Sequence, residues 1–232
     1  GSQINVLIPL NASSSKETIR KIIRAQKQNK NKTIHLSPAG IKITDETVEG
    51  FNYKTETDWN YIESLNQKPV LHIIGGGHVG LALSELMHFL GFYIKLYDDR
   101  NELNTIEQNL FADEKYFIDY NTIGDNMTID ANDFVVIMTI GYRTDKLVLQ
   151  QLLNKDLLYL GLLGSEKKNE RLFAELKTEG MASGILDKVF APVGLNIFSK
   201  TTKEIAVSIA AQMILIKNKN LPTGRTGIVA KP

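Results

Sequence analysis

The chain has 232 residues, room for one large domain or two small ones, and its 43% hydrophobic and 23% charged residues are the balance of a globular protein. A net charge of +1 provides no field to gather nucleic acid or an anionic membrane, and no apolar run reaches the roughly 18 residues a membrane helix needs. Cysteine is absent, which excludes disulfides, thiolate nucleophiles and cysteine metal sites within the chain and makes a reducing cytoplasm its easiest setting.

The chain starts Gly-Ser rather than Met and reads as missing its natural beginning. Ile4 to Leu10 is apolar and predicts a short strand, and Ser13 to Ser15 offer caps for a helix carrying Ile19, Ile22 and Ile23 to about Gln28. Thr33–Leu36, Ile41–Thr44 and Phe51–Tyr53 predict short strands, the first two joined by a Pro38-Ala39-Gly40 turn. Asp58 to Leu65 reads as one helical turn or an extended linker, and Asn66 to Pro69 punctuates a boundary. Residues 1–66 are therefore expected to form a small α/β region, 67–217 a second domain, and 218–232 an extended tail.

From Val70 short apolar strands alternate with helices, the pattern of a Rossmann-like parallel sheet with helices on both faces. Val70–Ile74 is the first strand, and Gly75, Gly77 and Gly80 then stand at the G-x-G-x-x-G spacing ahead of a helix over Val79–Leu90. In that motif the first glycine permits a tight turn, the second admits a pyrophosphate to the backbone, and the third lets helix and strand pack closely. The helix N-terminus adds unpaired N–H groups and a positive dipole end. Gly75, Gly76, Gly77, His78, Val79 and Gly80 are thus candidates to hold a phosphate.

Tyr93–Tyr97 is the second strand and ends in Asp98-Asp99-Arg100. An acidic residue about 20 positions past the glycines is where this fold bonds an adenosine ribose, which makes Asp98 the first candidate and Asp99 its possible partner. Arg100 could accept a ribose 2′-phosphate, stack on adenine, or simply be solvated. Lys115–Asp119 and Asp133–Met138 predict the third and fourth strands, with a polar connection over Asn121–Ala131 between them. Ligands in such sheets sit outside the carboxyl ends of strands, where strand order reverses, so Thr139 after the fourth strand joins the candidates. A helix over Leu147–Leu153 and a fifth strand over Leu157–Leu162 follow; Gly164 and Ser165 lie at its carboxyl end, with Ser165 capping a helix over Lys167–Lys177. Val189–Val193 predicts a last strand or extended segment, and Thr201 with Glu204 forms a capping box for a largely apolar helix over Thr202–Ile216, suited to burial against the sheet or a partner copy. Four scattered histidines without carboxylates at ligand spacing indicate no metal site, and no residue stands out as catalytic.

The run Gly75-Gly76-Gly77-His78-Val79-Gly80, then Asp98-Asp99-Arg100, Gly161-Leu162-Leu163-Gly164-Ser165 with Lys168, Ala191-Pro192-Val193-Gly194-Leu195-Asn196 and Thr202 to Ala210 resembles one family, the xanthine dehydrogenase accessory factors (XdhC/CoxI), over about Trp59 to Lys217. The resemblance implies an accessory protein of molybdenum hydroxylase maturation that binds the molybdenum cofactor (molybdopterin), protects it, and supports its sulfuration and insertion into the xanthine dehydrogenase apo-enzyme. A cysteine desulfurase and a second copy of the chain are the further partners it admits. The occupant of the glycine turn stays open between the pterin phosphate and NAD(P) or another nucleotide; so do the readings of an NAD(P)-dependent oxidoreductase and a nucleotide-sensing module. The chain departs from the family in having no cysteine where a Cys- and Gly-rich segment is common, in reading Thr139-Ile140-Gly141-Tyr142-Arg143-Thr144-Asp145 where a His-rich loop is frequent, and in carrying Asn196 at an often acidic position.

Overall fold

A computed structural model describes residues 13–45, 49–65 and 68–220. The expectations for Ile4–Leu10 and for residues 221–232 lie outside the described residues. The chain divides into two compact units, Gly1–Lys68 and Pro69–Pro232.

In the first unit, helix α1 (Ser13–Lys27) precedes four strands, β1 (Thr33–Ser37), β2 (Gly40–Thr44), β3 (Gly50–Thr55) and β4 (Asp58–Ser64), in the antiparallel order β2-β1-β4-β3. Gly40 takes φ +113° in the β1–β2 turn, a left-handed conformation that glycine adopts without a Cβ penalty. Ile22 and Ala25 of α1 pack with Leu65 and with Ile34, Ile41 and Ile43 of the β1–β2 hairpin. The 58–65 segment is neither a helical turn nor a linker. It holds β4, one of the two inner strands of the sheet, paired with β1 and β3. Trp59 and Tyr61 alternate with Asn60 and Ile62, the period of a strand, and aromatic residues suit a half-buried pleated surface.

The second unit opens with β5 (Val70–Ile74), α2 (His78–Phe89), β6 (Tyr93–Asp98), a short helix α3 (Asn104–Glu107) and β7 (Glu114–Phe117). The 121–131 connection holds a 3₁₀ turn (Tyr120–Thr122) and helix α4 (Ile123–Asn126). Then follow β8 (Phe134–Ile137), α5 (Tyr142–Leu152), β9 (Tyr159–Leu162), α6 (Glu166–Thr178), α7 (Ser183–Leu186), β10 (Val189–Phe190) and α8 (Thr202–Asn220). All six strands are parallel in the order β10-β9-β8-β5-β6-β7, which is the 3-2-1-4-5-6 order of a doubly wound dinucleotide-binding sheet read from its other edge. Strand order reverses between β5 and β8.

Several boundaries differ from the sequence reading, among them β7, which ends at Phe117 rather than Asp119, and β9, which starts at Tyr159 rather than Leu157. α5 starts at Tyr142, five residues early, because Gly141 at φ +103° turns the chain directly into the helix. The last strand is only Val189–Phe190. α8 continues through Lys217 to Asn220, and basic Lys217 and Lys219 in its last turn suit the negative end of the helix dipole.

The core is layered by strand alternation. Leu71 and Ile73 of β5 join Ile94, Leu96, Phe134 and Val136 beneath α2 and α8. Ile74 joins Val135, Ile137, Leu160 and Leu162 beneath α5 and α6. Each fully buried Leu or Ile contributes about 1.5–3 kcal/mol relative to exposure, so burial on both faces holds β5 centrally. His72 is a buried exception. One ring nitrogen lies 3.1 Å from the Tyr97 hydroxyl and the other 3.0 Å from Asp133 Oδ2, so the ring is a structural link among β5, β6 and the start of β8. His72→Leu is expected to lower stability by about 1–3 kcal/mol, because Asp133 and Tyr97 each lose a buried partner; denaturant unfolding checks this.

Candidate functional site

The carboxyl end of β5 is built from four glycines with separate physical reasons. Gly75 takes φ +118°, and a Cβ on it would stand 2.2 Å from the Met138 carbonyl oxygen at the end of β8. A Cβ on Gly76 would meet the Ile106 side chain at 2.4 Å, and one on Gly80 would meet the Gly75 carbonyl oxygen at 2.4 Å. Gly77 is different: nothing lies within 4 Å of its Cβ position. Three glycines make the turn compact, and the fourth leaves its outer face open.

Gly77 is also the N-cap of α2, and as a glycine it brings no side chain to cap the helix. The first helical bond runs from the Leu81 N–H to the Gly77 carbonyl, so the N–H groups of His78, Val79 and Gly80 have no acceptor within the helix. The His78 ring is exposed, while Val79 packs its side chain on the core below α2 and has only its backbone to offer a ligand. Open space over Gly77 beside three N–H groups without an acceptor among the described residues is an arrangement of the kind that suits an anion.

The turn is braced from β6 and the segment after it. Asp98 is 1% exposed and accepts from the Gly76 N–H at 2.6 Å, while Thr105 donates its hydroxyl to the Gly76 carbonyl. Arg100 closes over the same carboxylate, donating from its backbone N–H (3.0 Å) and Nε (2.8 Å) to Oδ1 and from Nη2 (2.7 Å) to Oδ2. Both oxygens of Asp98 are therefore engaged within the protein. Asp99 is exposed, with a carboxylate oxygen 3.9 Å from Arg100 Nε. Burial works to raise the Asp98 carboxyl pKa, and the bonds from Arg100 and Gly76 outweigh it, so the group is held below its ordinary value. A carboxyl lowered in the folded state stabilises fully above its unfolded value near about pH 4, and the contribution is lost as pH falls through the lower folded value. Asp98→Asn should therefore flatten the fall in melting temperature between about pH 5 and pH 2. An unchanged acid limb in thermal melts would refute that role.

The neighbouring loops complete the edge. Thr139 follows β8 and donates its N–H (3.0 Å) and hydroxyl (2.6 Å) to Asp145 Oδ1 in the first turn of α5. Asp145 is fully buried and takes Lys168 Nζ at 2.5 Å on its other oxygen. Lys168 thus neutralises an internal carboxylate. Lys167 is exposed. Ser165 caps α6 by accepting from the Lys168 N–H at 3.3 Å, and Gly164 leaves room for the buried Asn169 amide, whose oxygen would lie 2.6 Å from an added Cβ. β8 pairs directly with β5, and β9 lies one strand further out. The structure thus gathers Gly75–Gly80, Asp98–Arg100 and Thr139 around the end of β5, with Gly164 and Ser165 a strand away.

Sequence reasoning did not single out Thr105, Ile106 or Asp145 as site residues. Asp145 carried one signal: an acid in the first turn of a helix beginning at the switch-point loop. Thr105 and Ile106 carried none, since their role depends on how the 101–110 segment folds over Gly76. Among the described residues, no group of three or more His, Asp or Glu side chains is placed to hold a metal ion, and no helix is long and apolar enough to cross a membrane.

A family model described as the XdhC Rossmann domain matches residues 71–213, which spans the six parallel strands from β5 to β10. An uncharacterized Escherichia coli protein, YqeB, is 31% identical over 167 residues, 71% of this chain and 30% of that protein. A Bacillus subtilis protein described as a probable xanthine dehydrogenase subunit is 26% identical over 159 residues, 68% of this chain and 46% of that protein. The chain thus corresponds to less than half the length of either curated relative. A crystal structure described as a xanthine dehydrogenase from Bacillus halodurans superposes with a TM-score of 0.67 at 25% identity, over 94% of this chain and 68% of that one.

Proposed function

The chain belongs to the XdhC family, its Rossmann domain matching residues 71–213, and we propose that it is an accessory factor of molybdenum hydroxylase maturation that holds a phosphate-bearing ligand at the Gly75–Gly80 turn. The observation that carries this reading is the open Gly77 at the start of α2, beside the N–H groups of His78, Val79 and Gly80, which have no acceptor among the described residues. The names of the Bacillus relatives support a xanthine dehydrogenase as client.

Two ligands fit those donors. The molybdenum cofactor is a pterin carrying a phosphate, and the backbone of Gly77 to Gly80 would hold that phosphate; when bound, the cofactor supplies the redox-active metal of the client enzyme. This chain's residues then bind and orient, with Asp98, Arg100 and Thr105 keeping the turn in shape. An NAD(P) or other nucleotide is the second ligand, favoured by the 3-2-1-4-5-6 strand order, which is built for dinucleotides. A cysteine desulfurase that sulfurates the cofactor is a further proposed partner, and a reducing cytoplasm the proposed setting.

The test is reconstitution. Apo-xanthine dehydrogenase is mixed with molybdenum cofactor, with and without the purified protein, and recovered activity is measured alongside direct binding of the cofactor. Faster recovery together with binding is the expected result. Neither binding nor faster recovery would sink the proposal, and tight nucleotide binding with neither would favour a nucleotide-sensing module instead.

A further inference from the structure

The Asp98–Arg100 pair bears on which nucleotide the turn would take, an inference that rests on the nucleotide reading of the site. In a dinucleotide-binding sheet the acid ending the second strand offers a free carboxylate oxygen to the ribose hydroxyls. Here that acid is Asp98, at the end of β6, and no oxygen is free. Oδ2 takes the Gly76 N–H and Arg100 Nη2, and Oδ1 takes the Arg100 backbone N–H and Nε. A ligand with an unmodified ribose would have to break a two-pronged ion pair on a carboxylate only 1% exposed before reaching its acceptor.

What the site presents in place of a carboxylate is a set of donors without acceptors. Arg100 uses the Nε–Nη2 edge of its guanidinium on Asp98; Nη1 has no hydrogen-bond acceptor among the described residues, and the side chain is 33% exposed. Its outer edge is a planar fork of the kind that grips a phosphate at two oxygens. Tyr120, after β7, is buried close enough to Asp98, Asp99 and Arg100 to interact with their charges, and its hydroxyl proton has no acceptor among the described residues. The opposing charges are Asp98, already paired with the guanidinium, and Asp99, whose carboxylate is exposed and so weakened by solvent and salt.

We propose that Arg100 is the specificity-determining residue of the site, closing Asp98 to a free ribose diol and selecting an adenosine ribose that carries a 2′-phosphate. The ligand class is a 2′-phosphorylated dinucleotide, and the phosphomonoester is the group recognised.

The experiment measures binding of NADPH, NADH and ADP to the full chain by calorimetry, for the wild type, Arg100→Ala and Arg100→Lys, with thermal melts to show that each variant is folded. The wild type should bind NADPH about tenfold or more tightly than NADH, the scale of a hydrogen bond to a charged group. Arg100→Ala should reverse the preference: NADPH weakens by about tenfold as the fork is lost, and NADH tightens as Asp98 is uncovered. Arg100→Lys keeps a cation without the fork and should fall between the two for NADPH. If Arg100→Ala shifts NADPH and NADH equally, or wild type does not discriminate, the inference is overturned and the glycine-turn reading stands. If wild type binds none of the three, the nucleotide reading falls and takes this inference with it.

Discussion

Replacing Gly77 with valine should abolish phosphate-dependent binding while leaving the melting temperature within a few degrees of wild type, whereas Gly75→Ala and Gly80→Ala should each fail to give a stable fold. The contrast follows from what surrounds each position. Gly77 sits at φ −70° and ψ −170°, extended backbone open to any residue, with nothing within 4 Å of a Cβ. A branched side chain there would cost about 1 kcal/mol or less as a poor N-cap, yet it would fill the space in which a ligand meets the α2 donors. Gly75 combines φ +118° with a backbone carbonyl 2.2 Å from the Cβ position, and Gly80 meets the Gly75 carbonyl at 2.4 Å. Backbone on both sides cannot yield as a flexible side chain would, so β5, α2 and the end of β8 would all have to shift. Circular dichroism melts with calorimetry on the three variants decide the matter. A Gly77→Val protein that binds NADPH or molybdenum cofactor normally would make the turn purely structural.

This division of labour among the glycines was partly legible in the sequence. The G-x-G-x-x-G spacing after an apolar strand assigns a tight turn to Gly75, ligand approach to Gly77 and close packing to Gly80; Gly75 and Gly80 make the close backbone approaches their roles need, and Gly77 has nothing within 4 Å of its Cβ position. Gly76, at the first of the motif's three unspecified positions, is also closely packed, and the cause is Ile106, about thirty residues along the chain. The parallel sheet was legible for a related reason: continuous apolar runs such as Phe134–Ile137 mean strands buried on both faces. Strand β4 was not, because the adjacent Tyr61 and Ile62 break the alternation that Trp59 and Tyr61 begin, residues 59–62 are all half-buried, and so short a window does not separate a strand from a helical turn. Arg100 marks the sharpest limit. A DDR tripeptide is compatible with a free carboxylate, and only the side-chain conformation places the guanidinium on Asp98 rather than in solvent.

Asp145→Ala is expected to be among the most damaging substitutions outside the glycine turn, lowering stability by about 3–5 kcal/mol, because it strips the acceptor from two Thr139 donors and breaks the Lys168 ion pair at once. For a chain of this size that corresponds to about 10 °C in melting temperature. Asp145 is fully buried and gathers three donors, the N–H and hydroxyl of Thr139 in the loop after β8 and Lys168 Nζ from the first turn of α6. Its loss would leave Thr139 without acceptors at the carboxyl end of β8 and release a lysine at the end of β9. Lys168→Ala should cost a comparable amount, because it leaves a fully buried carboxylate without its counter-charge, with only the two Thr139 bonds on its other oxygen. The double variant should then be less unstable than the two losses added together, since each single change removes the same ion pair and that contact can be lost only once. Chemical denaturation of the two single variants and the double variant measures that coupling directly. Strict additivity would mean that the Asp145–Lys168 contact carries no energy of its own and that β8 and β9 are tied at this edge by their ladder alone.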